Sequence, residues 1–311
     1  MSISHEVVVI GGINCDIIGK SFDKIVIATS NPGSIKINAG GVGRNIAQNL
    51  SQLGINTALL GSIGRDSFGD YVLKISEDAG INTEHIILSS KYKTGIYLAI
   101  VNDEGEMELA LSDMSIIEET SLDYLKSKSQ LIKDSKIIVC DTNIDKNSLS
   151  FLVDFAQRND IPICIETVSV AKSKKLQGIL KGVDIITPSK DELFSLTCMN
   201  NNDNDIEKAS TLLLNQGVKN IVVTLGNQGL YLINHKGITH LPNFPAMAKD
   251  VTGAGDSLTA GIIYGLLKYK DMEIACKCGL AAASLTVSSI DTVSDELNET
   301  NLEKILAEFI S

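Results

Sequence analysis

Asp250-Val251-Thr252-Gly253-Ala254-Gly255-Asp256-Ser257 stands immediately before the apolar run Leu258 to Leu267. Two glycines and an alanine at the mouth of a helix leave three consecutive backbone N–H groups, those of Gly253, Ala254 and Gly255, at the positive end of the macrodipole. Such a turn is an anion site. Asp256, one residue into it, is either a helix-start carboxylate stabilised by the dipole or a base held beside a bound phosphate.

The rest of the chain must supply what that anion meets. With 311 residues, about two domains are expected, or one α/β domain with an appendage. Hydrophobic residues at 44% and charged residues at 21% describe a globular enzyme rather than an extended disordered chain. The net charge of −11 argues against nucleic acid or an anionic membrane as partner, because both require a basic footprint. Lys172, Lys174 and Lys175 form the one dense basic cluster and read as a solvated helix face. Cys15, Cys140 and Cys164 interrupt apolar strand-like runs, Cys198 stands alone, and Cys276 and Cys278 point to different faces of a helix, so core thiols are expected rather than disulfides or zinc. Met1 to Ser4 carry no basic leader, Val7 to Ile10 is too short for a signal core, and no run is long enough to span a membrane. A reducing cytoplasm is the expected compartment.

Val7 to Ile10 is a continuous apolar run ending in Gly11-Gly12, the pattern of a parallel strand buried on both faces. It leads to Asn14 and Asp16. Gly19-Lys20-Ser21 imitates the end of a Walker loop but lacks the earlier glycine and is followed by extended chain. Short β-prone pieces, Ile25 to Ile27 and Ile35 to Ile37, flank the turn Ser30 to Gly33. Gly40-Gly41-Val42-Gly43-Arg44-Asn45-Ile46-Ala47 opens a helix to about Leu53, and with Ile46 where a third glycine is needed, the dinucleotide fingerprint fails. Strands at Thr94 to Val101 and Glu106 to Leu111 join through Asn102 to Gly105. From Ile137 onward strands and helices alternate, the mark of a doubly wound parallel sheet. Ser189 to Glu192 has the spacing of a capping box. Thr224 to Gly229 is a hairpin turn or a nucleotide loop, and Leu280 to Val287 is an Ala-rich helical run. Asn200 to Asp203 and Asn204 form a polar loop.

The string D-V-T-G-A-G-D-S resembles the second signature of the PfkB (ribokinase-like) family of sugar and nucleoside kinases. Gly40, Gly41, Asn45 and Ala47 resemble the first, G-G-x-x-x-N-x-A, about 200 residues earlier. The resemblance implies an α/β fold: a ribokinase-like, doubly wound, mostly parallel sheet flanked by helices, formed by residues 1–18, 40–93 and 113–311. Residues 19–39 and 94–112 would form a small β-sheet lid, through which a homodimer would assemble. It also implies that Asp256 accepts the proton of the acceptor hydroxyl while Gly253, Ala254 and Gly255 hold the charge of the transferring phosphoryl group. Asn14, Asp16, Gly40, Gly41, Arg44, Asn45 and Glu166 would bind the acceptor, and Ser189, Thr224, Gly226, Gly229 and Ser284 would bind ATP. Glu192 would hold magnesium through water, with Ser189 departing from the Asn that the family's N-x-x-E places there. Asp250 and Thr252 would neighbour a monovalent cation such as potassium, as in some relatives. Within the family, Val42, Arg44 and Glu166 to Val170 with Lys172 look most like the pseudouridine kinases. Ribose, adenosine and ketodeoxygluconate kinases are the alternatives, as is a sugar-sensing homologue without activity, although such a protein would be expected to lose the base or the anion loop.

Overall fold

Val7–Ile10 is apolar at every position because the chain covers both its faces and both its edges. All four residues are fully buried, and the strand pairs in parallel with Thr57–Leu60 on one side and Ile137–Asp141 on the other. In the computed structural model, which describes residues 5–199 and 206–310 without the side chains of the last two, this strand belongs to an eight-stranded sheet. Its order runs Gly237–Leu241, Leu230–Asn234, Asn220–Thr224, Ile185–Ile186, Ile163–Glu166, Ile137–Asp141, Val7–Ile10 and Thr57–Leu60. The pairings are parallel from Thr57–Leu60 as far as Asn220–Thr224 and antiparallel for the last two strands. Met1 to Ser4 and the polar run Asn200 to Asn204 lie outside the described residues.

Alternation within each strand divides the core in two. Val8, Ile10, Ile138 and Cys140 pack with Leu149 and Leu152 of the helix Lys146–Asn159. Val7, Val9, Ile137 and Val139 face Ile46 and Leu50 of the helix Val42–Gln52 and Leu258 and Ile262 of the helix Ala254–Tyr269. The chain leaves Val7–Ile10 toward Thr57–Leu60 and returns on its other side, so the sheet reverses its winding between Val7–Ile10 and Ile137–Asp141. Ligands of open α/β sheets bind in the crevice beyond the strand ends at such a point.

A second sheet of four strands, in the order Gly33–Gly40, Asn14–Ser21, Gly95–Val101 and Met107–Asp113, sits at that crevice. It begins at Asn14, five residues ahead of the segment 19–39, so Asn14 and Asp16 are strand residues. Cross-strand register places Asp16, Tyr97 and Ser112 in one row and Ile37, Ile17, Leu98 and Leu111 in the next, on the opposite face. Ile25 to Ile27 form no strand. Asn31 explains why, since its side chain accepts from Val26 N–H at 2.8 Å and donates to Val26 C=O at 3.0 Å, satisfying the groups a ladder would have used. The run Thr57 to Ser62 also divides: Ser62–Gly64 leaves the large sheet and pairs with Ile87–Ser89.

Candidate active site

Three chain segments converge at the switch point because one carboxylate holds them. Asp141, fully buried at the end of its strand, accepts from Gly12 N–H and Gly43 N–H with Oδ2 and from Asn143 N–H with Oδ1, each at 2.8 Å. The exit loop of the first strand and the start of the Val42–Gln52 helix are thereby fixed to the central strand. Burial raises the Asp141 pKa, while the bonds from Gly12 and Asn143 and the Lys172 charge oppose that rise. At the helix mouth Gly41 has φ 101°, and a Cβ there would lie 2.3 Å from Gly12 O, so the close crossing needs glycine.

Above this junction opens a cavity of about 610 Å³. Gly12, Asn14, Asp16, Gly41, Asn45 and Asp256 line its polar side, and Tyr97, Ser112 and Met114 come from the small sheet and the turn after it. Asn14 Nδ2 donates to Asp16 Oδ1 at 2.5 Å. Burial raises the Asp16 pKa, with the Asn14 bond and the Arg44 charge opposing it. The remaining wall carries Asn143, Val168, Lys172 and Lys175. Lys172 Nζ donates to Asn143 Oδ1 at 2.6 Å, and Lys175 Nζ reaches the carbonyls of Thr142, Asn143 and Ile144. These two lysines are therefore not a solvated face as expected; of the basic cluster only Lys174 is exposed. Their placement follows from a tight turn in which Ser169 N–H bonds Thr167 O at 2.6 Å and Val168 takes φ 62°, a strained conformation for a β-branched residue.

Asp256 is the third residue of the Ala254–Tyr269 helix. Its Oδ2 accepts from Asn45 Nδ2 at 2.8 Å, and only 9% of the residue is exposed. Burial pushes its pKa up to about 7; Asn45 and Arg44 oppose that rise, and Asp141 and Asp16 add to it. A carboxylate that changes charge near neutrality is matched to accepting and releasing a proton. Gly253 caps the helix at φ 79°, where a Cβ would lie 2.0 Å from Thr292 O. Gly255 has no positive φ, and a Cβ there would meet no heavy atom within 4 Å. The conformational demand falls on Gly253, while Gly255 leaves open space. Ala254 N–H bonds Val251 O at 3.3 Å, so one of the three expected donors has a partner inside the turn.

Arg44 and Glu166, expected at the acceptor, do not line the cavity. Arg44 is 2% exposed and donates to Gln48 Oε1 at 2.7 Å and Asn45 Oδ1 at 2.8 Å. Glu166 is buried under the hydroxyls of Thr187 and Thr259, with Val168 N–H on its other oxygen, and burial pushes its pKa to about 8, helped by the nearby Glu192 and Asp256 charges. Gly40 pairs with Asn14 in the small sheet.

The residues expected at ATP do not line the cavity. Ser189 and Glu192 form the capping box, and Glu192 Oε2 also accepts from Thr167 Oγ1 at 2.6 Å. Thr224 N–H bonds Pro188 O at 2.9 Å, bringing the capping box beside the turn that contains Gly226 and Gly229. That turn closes the antiparallel pair Asn220–Thr224 and Leu230–Asn234, so the hairpin reading holds locally. Ser284 donates its hydroxyl to Ala281 O at 2.8 Å, within its own helix. Asp250 Oδ1 accepts from Thr252 N–H at 2.8 Å, and both residues are exposed. Among the described residues no three His, Cys, Asp or Glu side chains gather to hold a metal, and no helix is long and apolar enough to cross a membrane.

Sequence reading missed Asp141, Asn143 and Thr292. Asp141 carries a signal, a charge ending an apolar strand, but its partners are set only by the fold.

A helix N-terminus beside a carboxylate that ionises near neutrality, at the rim of a cavity with one polar side, is an arrangement suited to moving a phosphoryl group to a hydroxyl. The chain belongs to the PfkB family, matching the pfkB family carbohydrate kinases over residues 4–299, and it is a sugar or nucleoside kinase of that family. It is 32% identical over 287 residues to the pseudouridine kinase of Escherichia coli strain K12, covering 89% of this chain and 90% of that protein. A carbohydrate kinase from Agrobacterium tumefaciens superimposes with a TM-score of 0.86 at 29% identity, over 97% of both chains. The fold is also that of an Arabidopsis thaliana ribokinase, with a TM-score of 0.85 at 20% identity, over 98% of this chain and 99% of that one.

Proposed function

We propose that this protein is an ATP-dependent kinase that phosphorylates the 5′-hydroxyl of pseudouridine, giving pseudouridine 5′-phosphate and ADP. The carrying observation is Asp256, presented to the polar side of the cavity by Asn45 at 2.8 Å and flanked by the Gly253–Gly255 turn. Asn14, Asp16, Gly41 and Asn45 bind the ribose hydroxyls and hold the 5′-oxygen at Asp256. Asp256 takes the proton of that hydroxyl as the oxygen attacks, and the N–H groups of the turn oppose the charge that develops on the phosphoryl oxygens. The nucleobase extends toward Tyr97, Asn143 and Lys172.

Magnesium, when bound, supplies positive charge to the phosphate oxygens of ATP. The helix mouth suits that polyphosphate, because Gly255 leaves the approach clear of side chains. Glu192, whose Oε2 accepts from Thr167 Oγ1, would hold the metal through water, and Ser189, Thr224, Gly226, Gly229 and Ser284 would border the nucleotide. Asp250 and Thr252 would neighbour a potassium ion.

The similarity to the Escherichia coli enzyme supports the choice of acceptor. Competing pseudouridine, uridine, ribose and adenosine in one reaction with ATP and magnesium tests it. Pseudouridine should show the highest kcat/KM; an equal or higher value for another acceptor overturns the assignment while leaving the kinase in place. The protein works as a homodimer in the cytoplasm, where its six unpaired cysteines would stay reduced. Ile35, Ile37, Leu109 and Leu111, exposed on the face of the small sheet opposite the cavity, pack on a second copy.

A further inference from the structure

An asparagine amide has two unlike ends, and the acceptor site requires a particular one at each place. If Asn45 turned its amide over, Oδ1 would face the Asp256 carboxylate, and two acceptors would oppose each other across the 2.8 Å now spanned by a donated N–H. Arg44 prevents this. A guanidinium carries donors and no acceptor, so the bond from Arg44 Nη2 to Asn45 Oδ1 at 2.8 Å admits one orientation of the amide. The guanidinium is itself pinned one helical turn on, by Gln48 Oε1 at 2.7 Å from Nη1. Arg44 is 2% exposed and does not line the cavity, and its Nε finds no partner among the described residues. Burying a guanidinium with an idle donor is costly, and contact with a ligand cannot offset that cost where the ligand does not reach.

We propose that Arg44 is a positioning residue for phosphoryl transfer, locking the Asn45 amide so that it donates to Asp256 and holds the carboxylate toward the acceptor hydroxyl. The inference rests on the reading of Asp256 as the base. The charged groups facing Asp256 are Arg44 from the Val42–Gln52 helix, Asp141 from its strand, Asp16 from the small sheet and, by its charge, Glu166 from the strand Ile163–Glu166. Arg44 is the cation of that set. Its charge and the Asn45 donor both favour ionised Asp256, so their loss must move the acid limb of activity to higher pH.

The experiment compares Arg44→Met, Arg44→Lys and Gln48→Leu with the parent enzyme, reading kcat, KM for pseudouridine and the pH profile. Arg44→Met should lower kcat by about 10²-fold, the scale of a misplaced reacting group, with KM changed by less than about threefold and the acid limb raised by roughly one pH unit. Arg44→Lys should return the limb toward the parent value, because charge and one donor remain. Gln48→Leu frees the guanidinium without removing it, and should lower kcat less than Arg44→Met with the same KM. It also stands in if Arg44→Met fails to fold: a kcat unchanged in Gln48→Leu then overturns the proposal. A KM raised tenfold or more at parental kcat in any variant overturns it too, assigning Arg44 to acceptor contact. Asp256→Asn, run alongside, separates the two claims. If that variant keeps its turnover, the base assignment fails; if it is inactive while Arg44→Met has parental kcat and pH profile, only the positioning role fails.

Discussion

The proposed acceptor half of the site and the proposed nucleotide half are built to different standards. Around the cavity the functional side chains already bond one another: Asn14 to Asp16, Arg44 to Asn45, Asn45 to Asp256, Lys172 to Asn143. Among the residues assigned to the nucleotide and the cation, side chains bond nearby backbone, as Ser284 does with Ala281 O and Asp250 with Thr252 N–H, and Val251 stands 72% exposed. A preorganised acceptor side keeps the reacting hydroxyl near its target without further ordering. An open nucleotide side suits a polyphosphate bound chiefly by charge and backbone N–H groups.

The contrast breaks most sharply at Asp256. Asp256→Asn keeps the size and removes the proton acceptor, so kcat should fall by about 10²–10⁴-fold, with circular dichroism unchanged. In the parent enzyme kcat/KM should rise with pH through about 7, where Asp256 ionises. A variant with near-parental turnover removes Asp256 from the role of base.

Two glycines of one turn come next, because they should fail differently. Gly255→Ala places a methyl group in open space, so the fold should keep its Tm while kcat drops by about 10²–10³-fold, the cost of spoiling one N–H donor. Gly253→Ala forces φ 79° on alanine against Thr292 O, and should lower Tm as well as turnover. Equal Tm losses in both would show that the turn serves packing rather than the anion. A smaller effect belongs to the acceptor wall: Lys172→Met should raise KM for pseudouridine by about tenfold, the value of one charge-assisted bond, and leave ribose phosphorylation nearly unchanged. If both acceptors suffer alike, Lys172 supports the wall instead of contacting the base.

How much of this was open to sequence reading depends on how far apart the partners lie in the chain. Val7 to Ile10 and the strand–helix alternation are local patterns, so the parallel sheet is legible. Asp256 and the glycine turns are legible because their chemistry is written in consecutive residues. Asp141 is not, since its oxygens meet Gly12 and Gly43, 129 and 98 residues away. Arg44 looks like an acceptor ligand from its place in a signature, yet helix Val42–Gln52 turns it inward onto Gln48. Lys172 and Lys175 read as solvated because a basic cluster usually is, and the strained turn at Val168 that brings them to the wall leaves no mark in composition.

The smallest effect concerns stability, and its sign follows from burial. Asp256 rises from an ordinary carboxylate value to about 7 and Glu166 to about 8, so the folded state favours their protonated forms. That contribution is complete below the unfolded values near 4 and is lost as pH climbs through 7 and 8. The ligand-free enzyme therefore gives up stability at Asp256 between about pH 4 and pH 7, the range over which the same group gains its ability to accept a proton. Asparagine at 256 carries no such penalty. Melting curves of Asp256→Asn and the parent should coincide most nearly at about pH 4 and separate with rising pH, the variant melting higher by ~2–4 °C for each kcal/mol of relieved burial. A gap that stays constant across this range would mean that the Asp256 carboxylate is solvated and ionised throughout, and the preorganised acceptor half would lose its charge-storing element.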